Sequence, residues 1–547
     1  MNTIIKNILL FTVLFSGIYG VFAQSENPVI YTIQKEVERN KTGLVMEGMT
    51  SPFFISYSVL DVYSYNISAT LGKIIYFNEN RNRIGVPRVL VGDYMRNNVN
   101  AIGQMRMYTR LNTSLYDDEG VPVTIWRNLD EFYKNAVELN KAKTAVQQQQ
   151  TQTKEEEELP DFEQVKPVDI ILKSIPIDFD KAYWENYLRK ASEIAKQYPE
   201  ILGSTMSLNV RNIMTYTYNT ENSRYAVPTT FYQLIFSANI RAKDGQDLTH
   251  TIWIENATFK QMPDVATFGN QCKTVMENLV KLKNAPVIDD AYSGPVLFEG
   301  SAVVRIFRQA FFNNNKLSAA PKMINPVRPQ AGNDFEMMLN KKVISRSITV
   351  KSITGQEFYK GQRLNGYYYV DAEGVVPDKE LVLIENGVLR NMLSGRRPTK
   401  KIQHSNGHTR YDINTDNLQV IPGNILITSN QTFSNENLRK KLLDAAKEED
   451  LDYAYIVKQY DSGINLIYKI YVADGREELV RGATISDDSN LRAFKRILGA
   501  SDKEQIANYG ELQTTIICPD AILFEEMDVT RMSNLEFKKP YIVQKPQ

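Results

Sequence analysis

The 547-residue sequence is poor in the side chains that most often build cross-links and metal sites, with two cysteines and three histidines. Cys272 and Cys518 allow at most one intramolecular disulfide, and the count alone does not establish it. We therefore expect two buried thiols. The three histidines, His250, His404 and His408, are few and scattered, which is untypical of a protein with an extensive metal centre.

The sequence also lacks an excess of charge of either sign. It contains 64 basic and 64 acidic residues, so its formal net charge is zero. A chain without a net field has no overall attraction for nucleic acid or anionic lipid, and we expect neither as a partner. Hydrophobic residues make up 43% of the chain, enough to bury two or three cores in a globular protein of this length.

Several common catalytic motifs are missing as well. The sequence has no Gly-x-Ser-x-Gly nucleophile turn, no glycine-rich phosphate loop and no Cys-x-x-Cys pair. The best-known signatures of serine hydrolases, nucleotide-binding proteins and dithiol oxidoreductases are therefore absent.

The amino terminus has the pattern of an export signal. Residues 1–23 contain one lysine, Lys6, then an apolar run, and then small residues at Val21 and Ala23. This pattern predicts a signal peptide cleaved after Ala23. The alternative is a membrane anchor, but the run is shorter than the roughly 20 residues that a bilayer span requires. We expect a periplasmic or secreted protein without a membrane span after cleavage.

The rest of the chain predicts an α+β protein of two domains. Residues 24–320 alternate amphipathic helices with period-two strands, which predicts a layered α/β domain with an antiparallel sheet. A charged insertion at 144–163, rich in Gln and Glu, interrupts this domain and is expected to be a mobile excursion or a solvated helix end. Residues 321–547 carry many short strands bounded by turns, which predicts a mainly β domain, sandwich or barrel.

A series of short motifs carries a family resemblance. Each is weak alone, but their order and spacing are specific. They are Gly-Tyr-Tyr-Tyr-Val-Asp-Ala-Glu-Gly at 366–374, Leu-Ile-Glu-Asn-Gly-Val-Leu at 383–389, Ser-Gly-Arg-Arg-Pro at 394–398, Ser-Asn-Gly-His-Thr-Arg at 405–410, Pro-Gly-Asn at 422–424 and Arg-Gly-Ala at 481–483, with 88–94 and 294–298 on the amino-terminal side. In this series the chain resembles the TldD/PmbA family of metallopeptidase-related proteins over about 28–526, leaving out the insertion.

The resemblance implies a zinc-peptidase helix whose ligands are missing here. Active family members carry His-Glu-x-x-x-His, and the matching positions 298–303 read Phe-Glu-Gly-Ser-Ala-Val. We expect this helix to span 295–312, with Glu299 as the one retained catalytic candidate. The third ligand of active members is a cysteine, and the matching region 498–505 has none. Glu299 is either a residual general base or a plain acid near a helix start, and we expect no metal and no cofactor, although active relatives use zinc.

The long basic loop at 394–410 is the predicted binding element. Such loops are often lids or ligand contacts, and the alternative is a merely solvated loop. In the family the corresponding loop lies over a cleft between the domains and helps to hold an extended peptide. The predicted peptide-binding residues are Arg396, Arg397, His404, Asn406, His408 and Arg410.

Two of these residues, His404 and His408, would share one helical face if the loop were a helix. The intervening Ser-Asn-Gly argues against a helix, so we do not predict a metal site there.

Together these features predict a non-catalytic, peptide-binding or partner subunit of an exported peptidase-like dimer. The resemblance implies a homodimer or a heterodimer with a zinc-bearing paralogue. The alternative is an active but divergent metallopeptidase that uses Glu299 with unrecognised ligands.

Overall fold

A computed structural model describes residues 27–101, 111–112, 120–149, 153–177, 179–288, 291–312, 316–321, 324, 333–412, 417–460, 464–486, 490–509 and 513–532. The chain is α+β, as predicted. The signal sequence predicted at 1–23 lies outside these residues. In the described part of the chain, no helix has the length and apolar character needed to cross a membrane.

The helices are mostly short and amphipathic. They are α1 (Pro28–Gly43), α2 (Gly120–Gln148), α3 (Lys154–Glu158), α4 (Lys181–Glu193), α5 (Val265–Asn284), α6 (Ser301–Phe307), α7 (Asn435–Glu448) and α8 (Asn490–Ala493). A π-helical turn, Arg308–Phe312, continues α6, and 3-10 turns lie at Ile194–Gln197, Phe259–Gln261 and Asp334–Met338. The starts of α4, α5 and α7 are capped by Asp180, Asp264 and Ser434, whose side chains accept backbone N–H groups.

One large sheet organises the amino-terminal half. Its strands are β1 (Pro52–Thr70), β2 (Lys73–Val91), β3 (Leu111–Asn112), β4 (Asp169–Ile171), β5 (Gly203–Asn219), β6 (Arg224–Arg241) and β7 (Asp247–Asn256). The order is β3-β2-β1-β5-β6-β4, with β7 also paired to β6. Strands β1 and β2 form one long hairpin, joined by a turn in which Leu71 and Gly72 have positive φ.

The carboxyl-terminal half contains two larger sheets and two hairpins. The first sheet has the order β13-β12-β9-β16-β24-β23, and the second β17-β22-β25-β8-β18-β19-β20, with β21 also paired to β25. The strands are β8 (Tyr292–Glu299), β9 (Ile348–Ser352), β10 (Phe358–Tyr359), β11 (Gln362–Arg363), β12 (Leu381–Glu385), β13 (Val388–Leu389), β14 (Thr409–Asp412), β15 (Asn417–Val420), β16 (Asn424–Ser429), β17 (Thr432–Phe433), β18 (Tyr453–Tyr460), β19 (Asn465–Tyr471), β20 (Glu477–Val480), β21 (Ala483–Ile485), β22 (Ile497–Ser501), β23 (Glu504–Tyr509), β24 (Thr514–Pro519) and β25 (Ala521–Arg531).

The helices of the amino-terminal half pack on one face of the large sheet. The alternate residues of β1 that include Ile55 and Ile67 pack into cores with α1, α2, α4 and α5. The other alternate residues point to the opposite face, because successive side chains of a strand point to opposite sides. In the carboxyl-terminal half, the main core lies between the two sheets and includes α6 and its π turn.

The helix predicted at 295–312 is wrong in its first part. Residues Tyr292–Glu299 form strand β8, which pairs with β18 and β25, and the helix begins only at Ser301. Gly300 ends the strand with φ 57°, a conformation that glycine adopts without strain. The apolar run 295–298 fits a buried strand as well as a helix, and only its distant partner strands decide the outcome.

These pairings also bear on the domain organisation. The predicted boundary at residue 320 stays a prediction, although β8 already belongs to a carboxyl-terminal sheet. Helix α8 ends at Ala493, and Ile497 begins strand β22. Cys272 and Cys518 are free and buried, as predicted.

The charged insertion is more structured than expected. Its first residues complete α2, residues 154–158 form α3, and the end of the segment packs into the protein. Phe162 is fully buried against Phe54, and Asp161 forms a buried ion pair with Lys143. The expectation of a solvated excursion is therefore wrong at the carboxyl-terminal end of the insertion, where one aromatic ring and one ion pair anchor it.

Candidate functional site

A cleft of about 170 Å³ lies between the carboxyl-terminal half and the face of the amino-terminal sheet opposite to α1, α2, α4 and α5. The sheet contributes alternate residues of four neighbouring strands, β2, β1, β5 and β6. The opposite wall comes from residues 368–373, from the β14–β15 hairpin and from Gln513. A cavity between two parts of a chain, lined mainly by apolar groups with a few polar ones, is a typical ligand site.

The sheet wall is a ladder of small polar and aliphatic side chains. Strand register places Ser58 opposite Thr217 and Leu60 opposite Thr215. The hydroxyls of Ser58 and Thr217 are 2.8 Å apart and bond to each other. A patch that includes Leu60, together with Val86 and Ile213, gives the wall its apolar part.

The inner end of the cleft is closed by a buried ion cluster. Glu373 accepts a hydrogen bond from Arg88 at 2.5 Å, and from the backbone N–H of Arg396 and the hydroxyl of Thr409 at 2.8 Å each. The two guanidinium groups lower the pKa of Glu373 to about 2, against the effect of burial. Since Arg88 lies on β2, this cluster joins the two halves of the chain directly behind the cleft.

Asp371 lies in the same cluster and has the opposite shift. Burial, reinforced by the charge of Glu373, raises the pKa of Asp371 to about 7. Its oxygens accept backbone N–H groups of Glu373, Val375 and Thr409. These bonds hold the turn at 371–375, so Asp371 shapes the wall of the cleft.

Arg410 borders the opposite end of the cleft. Its guanidinium donates to the carbonyl of Gln513 at 3.0 Å and lies 5.0 Å from the ring centre of Tyr368. Burial lowers the pKa of Arg410. Arg88 on β2 and Arg211 on β5 line the cleft as well, so the amino-terminal sheet contributes two arginines and the opposite wall contributes Arg410.

The other predicted loop residues occupy different surroundings. Arg396 is fully buried, bonding to Glu221 and to the carbonyl of Glu163 at 2.6 Å each. Asn406 accepts the backbone N–H of Ser394 and donates to the carbonyl of Met392. These two side chains hold the loop in place, while Arg397 is partly exposed.

His404 is exposed and lies 2.9 Å from the carboxylate of Glu163. It borders a second cavity, of about 560 Å³, beside residues 155–164. The structure thus places His404 and Arg410 at two different cavities rather than in one contact surface.

His408 lies between a serine and an asparagine, as the histidine of a catalytic triad lies between its two partners, but it is not accessible to solvent. Its Nε2 lies 2.9 Å from the hydroxyl of Ser352, and its Nδ1 lies 2.8 Å from the side-chain oxygen of Asn406. Ser352 and His408 are each only 1% exposed. Burial lowers the pKa of His408 to about 3, so this imidazole is a neutral, internal hydrogen-bonding group.

Glu299, the predicted catalytic candidate, is engaged in an ion pair. Its two carboxylate oxygens accept hydrogen bonds from Nε and Nη2 of Arg439, at 3.1 and 3.2 Å. Arg439 also bonds to Glu477, which in turn pairs with Lys458. Glu299 is thus the last residue of a strand and belongs to a partly exposed charge network, and it is not among the residues that line the cleft.

The residues present do not fit the zinc site of active relatives. A helical ligand motif at this place must lie within 301–312, and that stretch contains no His, Cys, Asp or Glu. Burial raises the pKa of the Cys518 thiol, which opposes its use as a thiolate ligand. Among the residues that the structure describes, no three such side chains are grouped to hold a metal ion.

Sequence reasoning missed the polar wall of the cleft. Alternation of Ser and Thr with apolar residues in β1 and β5 was a usable signal, because it marks a sheet face without a hydrophobic cover. The alternation does not reveal which structure stands opposite that face. Arg211 carries no sequence signal of its own.

Comparison with known proteins finds a family match for the carboxyl-terminal part of the chain. Residues 290–531 match the sequence profile of the PmbA/TldA metallopeptidase C-terminal domain. No curated protein sequence matches the chain.

Solved structures share the fold along most of the chain. A candidate modulator of a DNA gyrase from Thermotoga maritima superposes with a TM-score of 0.59 at 14% identity, over 91% of this chain and 99% of that one. TldE from Thermococcus kodakarensis superposes with a TM-score of 0.53 at 11% identity, over 91% of this chain and 99% of that one. A second candidate modulator of DNA gyrase, from Bacteroides thetaiotaomicron, superposes with a TM-score of 0.56 at 11% identity, over 93% of this chain and 99% of that one. The match over residues 290–531 and the fold shared with these structures both agree with the resemblance to the TldD/PmbA family.

Proposed function

We propose that this protein is a non-catalytic member of its family that binds an extended peptide in the cleft between the amino-terminal sheet and residues 368–373. The observation that carries the proposal is a cleft between the two halves of the chain with a polar sheet wall, in a chain whose helix 301–312 has no zinc-binding side chain. Catalytic zinc sites use about three protein ligands.

The chemistry of the cleft suits a peptide in extended form. Hydroxyls of Ser56 and Thr215 can bond to main-chain groups, and the patch of Leu60, Val86 and Ile213 can pack against apolar side chains. Arg211 and Arg410 can pair with an acidic side chain or a terminal carboxylate, because guanidinium groups bind carboxylates in a bidentate manner. Of the six predicted peptide-binding residues, Arg410 is the one that lines this cleft.

The competing function, a divergent peptidase that uses Glu299, has less support. A general base must reach the water that it activates, and both oxygens of Glu299 are bonded to Arg439.

We also propose where the protein works and how it assembles. The predicted signal at 1–23 supports work in the periplasm or outside the cell. The family resemblance supports a dimer, either of two copies or with a zinc-bearing paralogue that would supply the hydrolysis.

Peptide binding and peptide cleavage can be measured on the same samples. Calorimetry with peptides of about eight residues should show binding, while a peptidase assay with added zinc should show no turnover. Arg410→Gln should weaken the binding of peptides that carry a carboxylate more than that of their amidated, uncharged analogues. Arg476→Gln, at an exposed turn, is the matched control.

Two results would overturn the proposal. One is chelator-sensitive cleavage by the purified protein. The other is a lack of binding to every peptide tested while the protein remains folded by its melting transition.

A further inference from the structure

The cleft is one end of a longer, partly exposed polar face of the amino-terminal sheet. Strand register continues its wall beyond Arg211 through Asn209, Ser207 and Thr205 of β5, with Asn66 and Ser68 beside them on β1. These five side chains are at least partly accessible to solvent. Helices α1, α2, α4 and α5 pack on the other face of this sheet.

This extension, called here the polar face, is rich in hydroxyl and amide groups. Ser68 and Ser207 bond across the strands at 2.8 Å, as do Asn209 and Gln233. Trp253 on β7 lies near its edge and is 47% exposed. Hydroxyls and amides that bond to each other keep further donor or acceptor capacity for a ligand.

Resting on the proposed function, we infer that the polar face binds the continuation of the same extended polypeptide, mainly through its main chain. The side-chain rows on the face recur every two residues, or about 6.7 Å, which is also the two-residue repeat of an extended peptide. A peptide running along the strands would therefore meet a new row of polar groups with every second residue. The face and the cleft are continuous on one sheet, so no separate occupant is required.

The geometry sets the length of the ligand. The cleft rows from Arg211 to Asn219 span about 27 Å, and the rows from Thr205 to Asn219 span about 48 Å, at about 3.4 Å per residue. The cleft alone should hold about eight residues, and the cleft with the polar face about fourteen. The polar face contacts the main chain of the bound peptide. The affinity that these contacts add should therefore depend little on the sequence of the peptide.

A nested peptide series tests the inference. Synthetic peptides share one eight-residue segment and are lengthened at either end with Ser-Gly repeats to about eleven, fourteen and eighteen residues. Affinity by calorimetry should rise by about tenfold between eight and fourteen residues in one of the two series and then level off.

Variants on the polar face should affect only the longer peptides. Thr205→Lys adds bulk and charge at an exposed position, and Asn66→Ala with Asn209→Ala removes two amides. Each should return the fourteen-residue peptide to the affinity of the eight-residue peptide. Asn270→Ala with Gln271→Ala, exposed on α5, is the matched control, and melting curves verify that every variant is folded.

The outcomes separate this inference from the proposed function. Binding of the eight-residue peptide without any gain from length would overturn the inference and leave the proposed function intact, whereas failure of all lengths would overturn both. A change of oligomeric state in Thr205→Lys, seen by light scattering, without a change in peptide affinity would assign the face to a second copy of the chain. Saturable binding of chitin oligosaccharides that Thr205→Lys abolishes, with no length effect for peptides, would assign it to a glycan.

Discussion

Arg396 donates to Glu221 at 2.6 Å, and both side chains are buried. The pair joins the loop at 394–410 to the turn between β5 and β6, and the Arg396 guanidinium also lies 4.0 Å from the ring centre of Phe162. A guanidinium with these partners holds parts of the chain together and has little freedom to meet a ligand. The loop is thus basic in sequence, but its central arginine is a structural residue.

Arg396→Ala should therefore destabilise the fold. Removing one partner of a buried ion pair typically costs about 3–5 kcal/mol, because the other charge stays buried and unpaired. Urea unfolding followed by circular dichroism measures the loss. Arg476→Ala, at an exposed turn, should change the free energy of unfolding by less than about 1 kcal/mol. A stable Arg396→Ala protein that has lost only peptide affinity would restore the sequence-based prediction of direct ligand contact.

Stability should also depend on pH through Asp371. Burial and the charge of Glu373 raise the pKa of this carboxyl from 3.8 to about 7. The folded protein therefore keeps the proton at pH values where the unfolded chain has released it. The contribution of Asp371 to stability is then largest below about pH 4 and is lost as the pH rises to about 7.

Asp371→Asn removes this titration. The difference in the free energy of unfolding, variant minus wild type, should move in favour of the variant between pH 4 and pH 7, by up to about 1.4 kcal/mol per pH unit. Urea titrations at several pH values measure the difference. The loss of an acceptor for the backbone N–H of Thr409 shifts the whole curve of the variant downwards without altering this slope. If the free energy of unfolding changed with pH in the same way in both proteins, the raised pKa of Asp371 would be contradicted.

Glu299→Gln should leave function unchanged. The substitution weakens a partly exposed pair with Arg439, so the expected loss of stability is about 1 kcal/mol or less. Peptide affinity, and any residual turnover with added zinc, should equal those of the wild type. Metal analysis of both proteins after incubation with zinc provides the second readout. Near-stoichiometric zinc in the wild type that disappears in Glu299→Gln would contradict the assignment of Glu299 as a structural acid.

The sequence predicts the secondary structure of this protein better than its site. Period-two patterns indicate the strands and amphipathic patterns indicate the helices of the amino-terminal half, because both signals are local. The apolar run before Glu299 was assigned to the wrong element, because its strand partners lie more than 150 residues further along the chain. Arg396 was expected to contact a ligand because it lies in a basic loop. Its actual partner, Glu221, is 175 residues away in the sequence. Burial of a charge depends on such distant partners, which a single sequence does not reveal.

The insertion at 144–163 gives the last test, since its end is packed rather than solvated. Phe162 is fully buried, stacked edge-on against Phe54 at 5.2 Å and in contact with the guanidinium groups of Arg88 and Arg396. Phe162→Ala should cost about 3–5 kcal/mol, as for other buried aromatic rings.

Glu155→Ala, at an exposed position of α3, is the control and should change stability by less than about 0.5 kcal/mol. Thermal and urea unfolding of both variants measure the effect. Equal stability of the two variants would mean that the whole insertion is solvated, and a protein from which residues 144–163 are deleted should then melt like the wild type. With Phe162 packed as observed, that deletion should instead lower the melting temperature, because it removes the ring together with the ion pair between Asp161 and Lys143.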